Sequence, residues 1–422
     1  MFVLDANKRP LNPVHPGWAH KLLAAGQAAV FKRAPFTLIL KAALPEVPVQ
    51  PLRLKLDPGS RTTGLALVHD ASGQVVFAAE IAHRGQQVKA ALEARSRVRR
   101  SRRSRKTRYR PSRFLNRRRP KGWLPPSLLS RLANVTTWVA RLRRLCPISA
   151  LSQELVKFDP ALMQDPTISG IQYQQGELAG YECREYLLEK WHRRCAYCGA
   201  TGVPLEVEHL VPRSRDGSDR VSNLVLACHG CNQRKGNQTA EEFGFPQLLA
   251  QARLPLTDAA AMNAARWALY ERLKATGLSV EVGSGGLTKF NRSNRGLLKA
   301  HWCDALCVGS STPAIVHIKG IQPLLIEATG HGTRQMCGTD GAGFPMRHRT
   351  RQKRWFGYQT GDLVQAVIPR GTYAGKHTGR VTIRARKSFR LNGIDVHPKY
   401  LTCLQKGDGY AYRLGTALPP PG

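Results

Sequence analysis

Two pairs of cysteines and a short set of acid, imidazole and amide side chains stand together between residues 195 and 237: CAYCGATGVPLEVEHLVPRSRDGSDRVSNLVLACHGCNQRKGN. Cys195/Cys198 and Cys228/Cys231 are Cys-x2-Cys knuckles separated by 29 residues, the spacing of a four-thiolate zinc site. Four soft thiolates around one ion leave no position open to water, so a zinc held this way is structural. In a unit this small, its binding supplies much of the folding free energy. Between and just after the knuckles lie Glu208, His209, Asn223 and Asn232. Phosphodiester hydrolysis needs an activated water and a cation to stabilise charge on the leaving oxygen. Glu208 is a hard oxygen ligand of the kind Mg²⁺ prefers. An imidazole, which titrates near neutrality, suits the general base, the role open to His209. His229, inside the second knuckle, would face solvent or phosphate, with zinc ligation as the alternative.

These groups need elements to hold them. The segment LEVEHLV alternates apolar and polar residues and reads as a strand, which sends Glu208 and His209 to opposite faces. The run CNQRKGN starts a helix. The whole set resembles the HNH (ββα-metal) nucleases. That resemblance implies a metal bracketed by a strand end and the following helix. Asn232 would enter from the helix to hold Mg²⁺ with Glu208, and Asn223 would orient His209 from the intervening loop. The plainer alternative is a zinc ribbon whose histidine does no chemistry.

A second constellation is spread more widely. Residues 52–81, LRLKLDPGSRTTGLALVHDASGQVVFAAEI, read as one strand ending at Asp57, a Gly-rich turn, a second strand through Leu65–Val68 and a third around Val75–Glu80. An acid at the end of the first strand of such a meander is how ribonuclease H-like nucleases begin. PISALSQELVKFD (147–159) is a short apolar strand delivering Glu154, and NRGLLKAHWCDALCVG (294–309) reads as a helix with His301 and Asp304 on one face. Asp57, Glu154 and Asp304, with His301, could hold two Mg²⁺ ions about 3.5–4 Å apart for in-line displacement. Taken singly, each acid has an ordinary reading, as a turn residue, a cap or a surface charge.

Composition says what these sites would act on. The chain has 422 residues, room for two to four domains, and its 42% hydrophobic content supports buried cores. Its net charge of +37 calls for a polyanionic partner, nucleic acid before an acidic membrane. No apolar run reaches the roughly 18–20 residues of a membrane span, and MFVLDANKRP has no signal-peptide layout. Four cysteines in a metal clip and six scattered ones make no disulfide framework, which predicts a cytoplasmic protein.

The basic excess is concentrated at 95–121, RSRVRRSRRSRKTRYRPSRFLNRRRPK, with fifteen Lys/Arg and no acid. With no helix breaker before Pro111, residues 86–110 read as an arginine-rich helix that orders when phosphates neutralise it. Arg95, Arg99, Arg102, Arg103, Arg105, Lys106 and Arg110 are its candidate nucleic-acid contacts. A solvated helix face or a localisation signal are its other readings. Further on, RHRTRQKRWFGY (347–358) interleaves basic and aromatic residues suited to phosphates and bases. Residues 357–390 alternate short strands with Gly turns and suggest a small SH3-like barrel.

In this order the features resemble the IscB family, transposon-associated RNA-guided endonucleases related to the CRISPR effectors that carry HNH and RuvC domains. The opening segment is similar to the family's N-terminal PLMP domain, reading PLNP at 10–13 instead of PLMP. The resemblance implies a multidomain α/β protein: a PLMP-like domain (1–50), a ribonuclease H-like RuvC sheet split in three (51–85, 122–168 and 247–330), an arginine-rich bridge helix with a basic linker (86–121), an inserted ββα-metal HNH domain with zinc knuckles (169–246) and a C-terminal β-barrel-like domain touching RNA and a target-adjacent motif (331–422). It implies RuvC residues Asp57, Glu154, His301 and Asp304, HNH residues Glu208, His209, Asn223 and Asn232, and catalytic Mg²⁺ at both sites beside the structural Zn²⁺. It also implies a guide RNA (ωRNA), a double-stranded DNA target and a monomeric ribonucleoprotein. HNH would cut the guide-paired strand and RuvC the displaced one. The rival readings are a guide-independent HNH homing or restriction-type endonuclease, a nucleic-acid-binding protein with nuclease relics, and a transposon accessory factor that binds without cutting.

Overall fold

Leu52, Leu54 and Leu56 alternate with Arg53, Lys55 and Asp57, and in the computed structural model this alternation becomes an inner strand of a seven-stranded mixed sheet. The structure describes residues 1–45, 49–105, 123–155, 184–254 except 185 and 189, 259–330, 337–340, 344–348, 351–384 and 388–419.

The chain opens with a strand β1 (Phe2–Leu4), helix α1 (Pro16–Ala24) and strands β2 (Ala28–Lys32) and β3 (Thr37–Leu40), which pair in the order β1-β3-β2. Then β4 (Leu52–Pro58), β5 (Thr62–Val68) and β6 (Val75–Ala82) form the expected meander. Helices α2 (Gly85–Ser104) and α3 (Pro126–Arg143) follow, and β7 (Ile148–Glu154) returns parallel to β4. The inserted unit contributes the β8 (Leu205–His209) and β9 (Leu224–Cys228) hairpin with helices α4 (His229–Lys235) and α5 (Gln247–Arg253). The chain rejoins the sheet through α6 (Ala259–Lys274), β10 (Ser279–Gly283), α7 (Gly285–Asn294), α8 (His301–Leu306) and β11 (Leu324–Ala328).

The period-two pleat sorts the sheet's two faces. Leu54, Leu56, Leu65, Leu67 and Ile81 pack against Trp138 and Leu142 of α3 and Leu269 of α6. On the other face Ala66, Val68 and Ala78 receive Trp302, Cys303 and Leu306 of α8. Lys55 and Asp57 alternate with the leucines and so lie on the α8 face.

Two short hairpins, β12 (Cys337–Thr339) with β13 (Pro345–His348) and β14 (Arg354–Trp355) with β15 (Tyr358–Gln359), lead to a separate antiparallel sheet. That sheet is built from β16 (Leu363–Ile368), β17 (Gly375–Ile383), β18 (Phe389–Leu391), β19 (Ile394–Val396) and β20 (Leu401–Gln405), ordered β19-β18-β17-β16-β20. No pairing among the described residues joins β19 to β20, and the strand order places the first strand of the unit between its second and its last. The last strand, β21 (Tyr410–Leu414), leaves this unit and pairs antiparallel with β11. The C-terminal region thus gives a strand to the central sheet as well as a domain of its own. Tyr410 and Tyr412 pack edge-on against Trp138, which explains the return. Among the described residues no helix is long and apolar enough to cross a membrane.

Candidate active sites

The first site lies where β4, β7 and α8 meet. Asp57 faces Gly64 across the β4–β5 ladder. Glu154 ends β7, one residue beyond the last registered β4–β7 pair, Leu56 with Gln153. The third element approaches through Gly64, because a Cβ there would sit 1.9 Å from the carbonyl oxygen of His301. Only glycine lets the first turn of α8 lie on the strand beside Asp57. Glu80, the partner of Gly64 on β6, accepts a 3.3 Å hydrogen bond from the Trp302 backbone N–H. That N–H is one of the unpaired donors of the helix start. The Asp57 end of β4, the Glu154 end of β7 and the start of α8, which carries His301 and Asp304, thus lie at one end of the sheet, while among the described residues only the four cysteines bring their ligand atoms close enough for a metal.

The expected helix over 294–309 is shorter than its sequence suggested. Residues 295–300 are not helical, and α8 spans six residues. Gly296 adopts a positive φ of 61°, which ends α7 and lets the chain turn before α8 begins. Two arginines that sequence reasoning missed meet the acids. Arg266 of α6 reaches Glu154 at 3.3 Å and donates to the Pro58 carbonyl, tying the ends of β7 and β4 together. Arg292 of α7 lies 2.8 Å from Asp304. Glu154 and Asp304 thus each carry a guanidinium counter-charge of their own. Replacing Gly64 by alanine is expected to push α8 away and to lower cleavage at this site by about 10²-fold or more. Single-turnover cleavage of a strand-labelled duplex measures this, with cutting at the second site unchanged.

The second site is the β8–β9 hairpin with α4. The Sγ atoms of Cys195, Cys198, Cys228 and Cys231 lie within 4.8 Å of one another, and those of Cys198 and Cys228 are 3.7 Å apart. A tetrahedron with Zn–S bonds of about 2.3 Å places its sulfurs about 3.8 Å apart, so the four thiols fit zinc. Burial alone would raise the Cys195 thiol, but the backbone N–H groups of Cys198, Cys228 and Tyr197 outweigh it and bring it down to about 7. Burial pushes the Cys231 thiol the other way, up to about 12. His229 is not among these four and instead bonds Glu206 at 2.9 Å.

Glu208 and His209 turn to opposite sides, as the alternation predicts. Glu208, however, is buried, and its oxygens are taken by Tyr197 Oη at 2.6 Å and Lys235 Nζ at 2.7 Å. The carboxylate that meets Asn232 is Glu206, whose Oε2 accepts from Asn232 Nδ2 at 2.6 Å. The reason is register between helix and strand. Glu206 and Glu208 share a face of β8, while His229, Asn232 and Lys235 form a stripe along α4. Asn232 stands level with Glu206, and Lys235 stands level with Glu208. Since an ionised carboxylate only accepts, Asn232 must turn its amide N–H₂ to Glu206, which leaves Oδ1 facing away as a free oxygen donor. Losing the Glu208 carboxylate would strand Lys235, whose side chain is 0% exposed. Glu208→Ala is therefore expected to destabilise this unit by about 3–5 kcal/mol, read from its thermal or urea unfolding transition.

His209 Nε2 lies 2.8 Å from Asp219 Oδ1. Asn223 does not touch the imidazole. Its side chain bonds Val211 N and O and the Ser218 carbonyl, pinning the loop that follows β8. It therefore acts on His209 through the backbone rather than by direct contact.

The arginine-rich helix is present as α2. Arg95, Arg99, Arg103 and Arg105 are exposed, and its mid-section buries nothing, as suits a helix awaiting a polyanion. The side chain of Arg102 and all of Lys106 and Arg110 lie outside the described residues.

Comparison with known proteins places these features. Residues 1–176 match the family model of the RRXRR protein, and residues 195–238 that of the HNH endonuclease. A 53-residue stretch is 45% identical to the CRISPR-associated endonuclease Cas9 of Corynebacterium diphtheriae, covering 12% of this chain and 5% of that protein. Among solved structures, Streptococcus thermophilus Cas9 in complex with the AGAA PAM is similar over 61% of this chain and 32% of that one, with 14% identity and a TM-score of 0.24. The Type II-C Cas9 of Actinomyces naeslundii is similar over 47% and 32%, with 18% identity and a TM-score of 0.16. The chain thus spans a small part of the curated relative and about a third of the structural ones, and these scores are too low to relate the whole architectures.

Residues 195–238, which hold the knuckles and the Glu208–His209 pair, are thus a region similar to HNH endonucleases. The chain therefore joins an RRXRR-like region to an HNH-like one.

Proposed function

We propose that the protein is an RNA-guided DNA endonuclease with two nuclease sites, one for each strand of its target. The observation that carries this reading is that the Asp57 end of β4, the Glu154 end of β7 and the start of α8 converge at one sheet end from segments that flank the HNH-like unit. A free-standing HNH nuclease would need no such second constellation. The strand order β6-β5-β4-β7-β10, with β5 alone antiparallel to its neighbours, supports a ribonuclease H-like (RuvC) core. The exposed arginines of α2 and the charge of +37 support a large bound RNA, with base pairing selecting the target strand.

At the HNH site His209 would take a proton from water, and Asn232 Oδ1, turned from Glu206, would offer the metal an oxygen, with Glu208 held in its buried pair with Lys235. At the RuvC-like site Asp57, Glu154 and Asp304 would hold the metals, with His301 beside the attacking water. Oxygen donors of these kinds suit Mg²⁺, which when bound neutralises charge on the leaving oxygen. Arg266 and Arg292 keep the acids in place and must yield them to the ions. Four clustered thiols support a structural zinc apart from either catalytic position.

The test is purification of the full chain with its bound RNA. Sequencing that RNA and challenging the complex with a matching labelled duplex should give Mg²⁺-dependent cutting of both strands. Cutting that persists after the RNA is digested would favour the guide-independent endonuclease. Sequence-specific binding without cutting would favour the accessory factor.

A further inference from the structure

We infer that Asp219 is a positioning residue for His209, fixing the imidazole as its Nε2–H tautomer and leaving Nδ1 as the atom that takes the proton from water. The inference rests on the reading of His209 as the general base of the HNH site. The contact is direct, with Nε2 and Oδ1 2.8 Å apart. An ionised carboxylate can only accept, so Nε2 must carry the proton, and in the neutral ring Nδ1 is then the bare nitrogen.

Arg213 keeps the carboxylate ionised and aimed. Its NH2 lies 2.6 Å from both oxygens of Asp219, and its Nε lies 2.8 Å from Oδ1. These bonds, with that from His209, hold the Asp219 carboxyl below the usual carboxylate range. The loop beneath is built to keep this place. Asn223 binds its two ends at Val211 and Ser218, the latter next to Asp219. A Cβ on Gly217 would sit 1.7 Å from the Val211 carbonyl oxygen, and Asp216 turns the chain at a positive φ of 59°.

Stability does not account for the arrangement. The side chains of Arg213 and Asp219 are 68% and 48% exposed, and ion pairs so exposed add little to folding. In the reaction the water O–H bond breaks as Nδ1–H forms. The water oxygen bonds phosphorus, the P–O bond to the leaving group breaks, and the leaving oxygen takes its proton from solvent. The imidazolium so formed keeps Nε2–H against Asp219, which stabilises its charge as it appears.

The test uses the complete ribonucleoprotein and a duplex labelled on both strands, with Asp219→Asn, Asp219→Glu and His209→Ala compared with the parent under single turnover. Asp219→Asn is expected to slow cutting of the guide-paired strand by about 10²–10⁴-fold. Target affinity and cutting of the displaced strand should stay as in the parent, and Asp219→Glu should recover most of the loss. ¹⁵N spectra of the histidine-labelled full chain should show His209 as the Nε2–H tautomer, with mixed tautomers in Asp219→Asn. The inference is overturned if Asp219→Asn cuts within about threefold of the parent while His209→Ala is inactive, or if both strands slow equally, since neither fits the expected loss. If His209→Ala itself cuts the guide-paired strand normally, the general-base reading falls, and this inference with it.

Discussion

Replacing Cys228 by serine, or stripping zinc with a strong chelator, will unfold the inserted unit and abolish cutting by it. The four Sγ atoms come from two knuckles on either side of the β8–β9 hairpin, so the ion closes the loop that carries Glu208, His209 and Asn223. Structural zinc contributes roughly 10–16 kcal/mol of apparent binding free energy in comparable small units, more than a typical domain's whole stability. The core around Leu210, Val225, Leu226 and Tyr197 is small, and Cys195 and Cys231 are themselves part of it. Limited proteolysis and hydrogen exchange should show loss of protection across 195–253 with the central sheet still protected. Added Zn²⁺, and not Mg²⁺, should restore it. Retained protection in Cys228→Ser would show that the hydrophobic core suffices without the metal.

Single substitutions at the two sites will separate the strands. His209→Ala should slow cutting of the guide-paired strand by about 10²–10⁴-fold, the usual worth of a positioned base. Asp57→Ala should abolish cutting of the displaced strand, because β4 lies beside β7, which ends at Glu154, and Asp57 faces Gly64, on which the start of α8 packs. Each variant should bind target as the parent does, since neither residue belongs to the arginine face of α2. Denaturing gels of a duplex with differently labelled strands decide it. A variant that loses both cuts while binding normally would show that the sites are coupled, or that the assignment of one site to each strand is wrong.

Much of the molecule was legible before folding. Knuckle spacing marked the thiols because their ligand geometry is local to two short turns. The alternation in 52–58 and 205–209 and the short apolar run before Glu154 marked three strands, because a pleat repeats every two residues and an apolar face must be buried. It also put Glu208 and His209 on opposite sides of β8. The arginine block marked α2, whose charge required no knowledge of its neighbours.

Other features depended on contacts that leave no periodic trace. The pleat puts Glu206 and Glu208 on one face, but which of them meets Asn232 depends on how far α4 is offset along β8. Asp219 is ten residues from His209 across a loop whose path Gly217 and Asn223 set. Arg266 and Arg292 reach Glu154 and Asp304 from helices whose sequences do not say which acid each would meet. The return of β21 to the central sheet follows from Trp138, far away in the chain. The amino-acid sequence by itself determined the chemical groups available and the elements carrying them, because ligand type, pleat and charge are short-range properties. The tertiary structure alone decided the partner of each group, because relative offset between packed elements is set by side chains from both of them at once.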